Sequence, residues 1–184
     1  AVLRTDQAAS LTLADGRVAL IEPLLAPPVL WIAGAEPVAA PLAEFARIMG
    51  FRAVISDPRP AFAVPERFPA ADRVVAAWPR DVLPELALDA RACVVSLNHE
   101  PRFEDPLWHA LADQPVRYLG AIGKPQRAIE RRERAAAAGF DLDRLPPIHT
   151  PVGLDIGGKS PEEIALSIIA EIVAVCNGRT VALV

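Results

Sequence analysis

The sequence has little cysteine and little histidine: two and three residues respectively among 184. They are too scattered for the closely spaced Cys/His ligands of a structural zinc site, so no metal centre is expected. Cys93 sits in an apolar run and Cys176 in a helical one, and both are expected as free, buried thiols. A strong charge of either sign is also lacking. The formal net charge of −4 argues against a general nucleic-acid or anionic-membrane surface. Apolar runs are broken by Pro, Arg or Glu well before the roughly 20 residues of a membrane span, and no signal-peptide pattern opens the sequence. A cytoplasmic chain with protein or small-molecule partners is the expectation. With 52% hydrophobic and 23% charged residues, disorder is disfavoured, and the length suits one domain with its own core.

What is present is alternation. Asp15-Gly16, between short strand-like segments at 10–13 and 17–22, is hairpin chemistry, because both residues tolerate positive φ. Val29-Leu30-Trp31-Ile32 is a continuous apolar run of the kind found in strands covered on both faces. Helices are expected over about 36–49, 82–86, 106–112 and 125–138, and strands over 51–56, 73–76, 92–97 and 116–119. Ser160-Pro161-Glu162-Glu163 opens a final helix with an N-cap, a first-position proline and a capping-box acid. These features predict an α/β fold: a Rossmann-like, doubly wound parallel sheet over 28–184, preceded by a small β-hairpin leader over 1–27.

In such a sheet, ligands bind beyond the carboxyl ends of the strands. That rule selects Gly34 and Glu36, Asp57 and Arg59, Asn98, His99 and Asp105, and Gly120, Gly123 and Lys124 as candidate cofactor-binding residues. The first turn, Gly34-Ala35-Glu36-Pro37-Val38-Ala39, stands where a G-x-G-x-x-G/A dinucleotide fingerprint belongs, and Asp57 falls about 20 residues on, near the place of the ribose-binding acid. Glu36 replaces the glycine that lets backbone amides approach a pyrophosphate, and Pro37 has no amide donor, which argues against NAD(P). Gly153 through Ser160 fits the P-loop pattern, but no convincing strand precedes it and too little sequence follows for the rest of a P-loop core, so ATP hydrolysis is not expected. Gly157 and Lys159 remain candidates for holding an anionic group at a helix N-terminus. His99 is open to roles as proton shuttle, ligand or hydrogen-bonding clamp, or to none beyond its loop. His109 and His149 are weaker candidates. Arg127, Arg131 and Arg134, interleaved with Glu130 and Glu133, predict a solvated helix face.

Several motifs together resemble the C-terminal, Rossmann-like domain of the xanthine dehydrogenase accessory protein family, XdhC/CoxI. They are Glu22-Pro23, the degraded Gly34 turn, Asp57-Pro58-Arg59, Glu66-Arg67-Phe68-Pro69, Asn98-His99 with Asp105, Gly120-Ala121-Ile122-Gly123, and above all Pro151-Val152-Gly153-Leu154-Asp155-Ile156-Gly157 followed by Ser160-Pro161-Glu162-Glu163-Ile164-Ala165 and Ala170-Glu171-Ile172. The resemblance implies an accessory protein rather than an enzyme, one that binds molybdenum cofactor and delivers it to a xanthine dehydrogenase- or carbon monoxide dehydrogenase-type molybdoenzyme. Its implied partner is the molybdoenzyme large subunit, with a cysteine desulfurase and self-association left open. Three departures stand out. Glu36-Pro37 replaces Gly-His, Lys124-Pro125-Gln126 replaces Ser-Arg-Arg, and the family's N-terminal domain is expected to be nearly absent. An NAD(P)-dependent oxidoreductase and a non-binding scaffold that recruits a molybdoenzyme remain as alternative readings.

Overall fold

Five consecutive residues of Val29–Ala33 (β3) are buried, and their side chains alternate between two separate apolar cores. Leu30 and Ile32 join one core, whereas Val29, Trp31 and Ala33 join the other. This is the period of two expected of a strand covered on both faces. A computed structural model of the protein describes residues 8–22 and 24–179. Pro23 of the Glu22-Pro23 motif and the outermost parts of both expected segments lie outside the described residues.

The main sheet has six parallel strands in the order β5-β4-β3-β6-β7-β8. The strands are β3, Arg52–Ser56 (β4), Arg73–Val75 (β5), Ala92–Ser96 (β6), Val116–Ala121 (β7) and Ile148–His149 (β8). Order reverses between β3 and β6, which places the ligand crevice of this architecture above those two strands. One face is covered by Ala39–Ile48 (α1) and Pro161–Cys176 (α5), through Leu42, Ala46, Ile168 and Ile172. The other is covered by Pro79–Leu86 (α2) and Pro101–Leu111 (α3), through Val82, Leu86, Leu107 and Leu111. Each fully buried Leu or Ile contributes about 1.5–3 kcal/mol. Gln126–Ala137 (α4) lies between β7 and β8 in the chain, and Ala9–Thr12 (β1) with Val18–Ile21 (β2) forms a separate antiparallel hairpin. None of its described residues belongs to either core.

The α/β class, the parallel order and the hairpin agree with the sequence. Several boundaries differ. α1 starts at Ala39 rather than Glu36, because 34–38 is spent on the turn in which the Ala39 amide donates to the Glu36 carbonyl at 2.9 Å. α3 starts at Pro101 and keeps Pro106 inside; the carbonyl this frees belongs to Arg102, an exposed residue that water can satisfy. β8 has no counterpart in the sequence expectation.

Candidate functional site

At the end of β3, Gly34 has φ +119°, and a Cβ there would stand 2.9 Å from Asn98 Nδ2. Glycine is thus required both by the backbone turn and by the close approach of the segment after β6. The Gly34 amide donates to the Ser56 carbonyl at 2.7 Å, and the Ala35 amide donates to Asp57 Oδ2 at 3.0 Å, which ties the turn to the end of β4.

Asp57 is fully buried, and its two oxygens are already engaged. Arg59 Nε and the Arg59 amide donate to Oδ1 at 2.8 and 2.9 Å, and Arg59 Nη2 donates to Oδ2 at 2.7 Å. Nη2 also reaches Glu36 Oε1 at 2.8 Å and Asn98 Oδ1 at 3.4 Å. The guanidinium carbon lies 3.9 Å from the ring centre of Phe62 and 4.9 Å from that of Phe103. Burial alone would raise the Asp57 carboxyl, but the hydrogen bonds from Arg59 and Ala35 outweigh it and hold the group below its ordinary value. Arg59 is correspondingly raised, chiefly by its hydrogen bond to Asp57.

Gly34, Glu36, Asp57, Arg59 and Asn98 are therefore brought together by the fold, and they fill the crevice with one another. A small cavity bordered by Ser56, Ser96, Asn98 and Phe103 lies next to this cluster and measures about 10 Å³, close to one water. An acid that would otherwise meet a ribose hydroxyl accepts from Arg59 and Ala35 instead, and Glu36 stands where a pyrophosphate would approach.

The other candidates lie elsewhere along the sheet. His99 and Lys124 are exposed in the segments after β6 and β7. Gly120 is packed inside β7, where a Cβ would meet Val152 at 2.5 Å. Gly123 has φ +140° and lies against Arg127. Asp105 faces α4, where Arg134 Nε donates to both its oxygens at 2.9 and 3.0 Å. Gly157 and Lys159 lie in the loop before α5, and three of its amides are occupied. The Lys159 and Ser160 amides donate to Glu163 Oε2 at 2.9 and 3.0 Å, and the Gly157 amide to Asp155 Oδ1 at 3.3 Å. Carboxylates thus take three of the donors that a P-loop offers to phosphate.

Two polar nodes involve residues that the sequence named without linking them. The expected solvated arginine face is corrected at Arg131, which is 3% exposed and donates from Nη2 to the buried Glu104 at 2.5 Å; Arg134 Nη2 joins the same carboxylate at 2.8 Å. A buried guanidinium needs its partner, and nothing near Arg131 in the sequence points to Glu104. The second node is Glu171 on α5, which accepts from His149 Nδ1 at 2.9 Å, the Gly153 amide at 2.7 Å and the Tyr118 hydroxyl. Burial would raise Glu171, but these three donors hold it below its ordinary value. A signal for this node existed: an acid next to Ile172 on the apolar side of a helix requires buried donors.

Known proteins share this fold and much of its sequence. The XdhC Rossmann domain family model matches residues 30–172. A probable xanthine dehydrogenase subunit of Bacillus subtilis (strain 168) is 34% identical over 148 residues, covering 79% of this chain and 42% of that protein. The molybdenum cofactor insertion chaperone PaoD of Escherichia coli (strain K12) is 28% identical over 88 residues, covering 48% of this chain and 28% of that protein. Among solved structures, a xanthine dehydrogenase from Bacillus halodurans superposes with a TM-score of 0.71 at 30% identity, over 89% of this chain and 46% of that one. The chain therefore spans less than half the length of these relatives.

Proposed function

The chain belongs to the XdhC Rossmann domain family, and from that premise we propose that it is the cofactor-handling part of an accessory protein, which holds molybdenum cofactor and passes it to a xanthine dehydrogenase- or carbon monoxide dehydrogenase-type molybdoenzyme. The names of its relatives, one a molybdenum cofactor insertion chaperone and the other a probable xanthine dehydrogenase subunit, support the accessory role. The observation that carries this reading over a nicotinamide-dependent oxidoreductase is the Arg59 plug. Arg59 crosses the usual dinucleotide turn and bonds to Asp57, Glu36 and Asn98, which supports a Rossmann scaffold put to a different ligand.

The residues present fit a phosphate-bearing pterin at the rim and not within the crevice. Exposed His99 and Lys124 follow neighbouring strands on the carboxyl edge, and both can donate to a phosphate. Bound there, the cofactor would bring the molybdenum that the client enzyme uses, while this chain contributes holding and orientation. The client is the molybdoenzyme large subunit.

The test is anaerobic incubation of the protein with molybdenum cofactor and, separately, with NAD+ and NADP+, followed by gel filtration and assay of retained ligand. Retention of molybdenum cofactor without retention of nicotinamide is expected, for the parent and for Glu36→Gly alike, because Arg59 still bridges Asp57 and Asn98 when Glu36 is gone. Tight nicotinamide binding by either protein overturns the reading. Retention of neither ligand leaves only the recruiting scaffold.

A further inference from the structure

Beside the Arg59 cluster, on the same carboxyl edge of the sheet, lies a groove of about 260 Å³ bordered by Trp78, Arg80, Arg102 and Pro106. Trp78 follows β5 and precedes the first residue of α2, and Arg102 lies in the first turn of α3, so two helix N-termini open beside this groove. Trp78 is 39% exposed, whereas Trp31 and Trp108 are buried at 0% and 2%. Its ring leans on Phe103, with centres 6.0 Å apart and planes inclined by 29°. Phe103 in turn lies 4.5 Å from the Arg102 guanidinium carbon and 4.9 Å from that of Arg59. The groove is thus walled by one accessible indole on an aromatic support, flanked by two cations.

We propose that this groove binds a planar heterocycle carrying a phosphate, with the ring stacked on Trp78 and the phosphate held by Arg80 and Arg102. Stacking on an exposed indole is the common way of holding a nucleobase-like ring. Arginine supplies the paired donors that suit phosphate, and the positive ends of α2 and α3 add to them. The groove is large enough for one ring system. Two carboxylates stand beside the arginines: Asp81, 3.6 Å from Arg80 Nε, and Glu100, 2.9 Å from Arg102 Nε. Both are surface pairs, which solvent screens and an incoming phosphate displaces. The same chemistry is found in nucleoside monophosphates and in phosphorylated pterins. A nucleoside monophosphate here goes beyond the accessory reading, whereas a phosphorylated pterin rests on that reading and moves the pterin from the His99 and Lys124 rim to this groove.

Trp78 makes the test direct, because a ring stacked on it quenches the emission of the one surface indole while the two buried ones report little. The protein is titrated with AMP, GMP, CMP and a phosphorylated pterin, with the free nucleosides and inorganic phosphate as controls, and affinities are measured independently by equilibrium dialysis. Saturable quenching by at least one phosphorylated heterocycle is expected, and the class that binds tighter identifies the source. Trp78→Ala should weaken binding about tenfold or more, and Arg102→Gln about fivefold. Trp78→Phe should retain most of the affinity while losing the quenching. The proposal is overturned if no probe binds at millimolar concentration, if inorganic phosphate alone binds as well as the phosphorylated rings, or if Trp78→Ala alters only association with a partner protein. Unchanged retention of molybdenum cofactor by Trp78→Ala, together with loss of none of the probes, removes this assignment and leaves the accessory reading intact.

Discussion

Arg59 holds three elements together at one point: β4 through Asp57, the turn after β3 through Glu36, and the segment after β6 through Asn98. Removing its side chain leaves the fully buried Asp57 carboxylate with only two neutral donors, the backbone amides of Ala35 and residue 59, and no countercharge. Arg59→Ala is therefore expected to cost about 3 kcal/mol at pH 7, at the lower end for a broken buried pair because the arginine is partly solvated. The pH dependence follows from the lowered carboxyl. Its stabilisation is complete above the unfolded value of 3.8 and is lost as pH falls through the lower folded value. Urea titrations of the two proteins should show a constant difference from pH 7 to about pH 5, narrowing below pH 3.8. A difference that grows on acidification would show that Arg59 acts otherwise than by holding Asp57 ionised. At this scale the sequence was partly legible. Gly34, Asp57 and Asn98 were found by their place after strands, and Glu36 by its substitution for glycine. That Arg59 would bond to all three of Asp57, Glu36 and Asn98 was not legible, since their convergence depends on the packing of three separate crossovers.

At the scale of elements, the helices divide by what attaches them. α1 bears an apolar stripe and was readable from it, although its first turn was claimed too early. α4 reads Gln126-Arg127-Ala128-Ile129-Glu130-Arg131-Arg132-Glu133-Arg134, and its one buried residue is Arg131; it is fastened to α3 by the ion pairs of Glu104 and Asp105. Charge spacing alone cannot distinguish such a helix from a solvated one, because the deciding partners lie on another helix. β8 was invisible for a different reason: two residues preceded by Pro146-Pro147 carry no periodicity. Its position is set by parallel pairing with β7 and secured by Glu171, which ties α5 to His149, Tyr118 and the Gly153 turn. Glu171→Gln keeps the shape but loses the charge that three donors surround, and should destabilise the protein by about 2–4 kcal/mol at neutral pH. Because the folded carboxyl is lowered, this contribution is present above 4.5 and disappears as pH falls below it. Chemical denaturation across pH 3–7 checks this, and a substitution neutral at pH 7 would reduce the node to surface chemistry.

For the whole molecule, class and topology were legible because the successive strand and helix signals agree with one architecture, whereas the ligand was not, because a Rossmann scaffold survives the loss of its usual one. The boundary near residue 28 makes a separate claim about how stability is distributed. Among the described residues, β1 and β2 pair with each other and with no strand of the main sheet, and the two apolar cores begin at Val29 and Leu30. The hairpin exposes Leu11, Val18 and Leu20, and a lone two-stranded hairpin is at best marginal in water. Its junction with the domain retains a few main-chain anchors: the Arg52 amide donates to the Pro28 carbonyl at 2.8 Å, and Arg91 Nη1 donates to the Ala26 carbonyl at 2.9 Å. A chain starting at Pro28 keeps the first of these and loses the second, an exposed bond worth about 1 kcal/mol or less. Its unfolding free energy should lie within about 1 kcal/mol of the parent's, with a slightly smaller urea m-value for the surface removed. A loss of several kcal/mol, or a change from one cooperative transition to two, would show that the hairpin is part of the folding unit and that the domain begins before Val29.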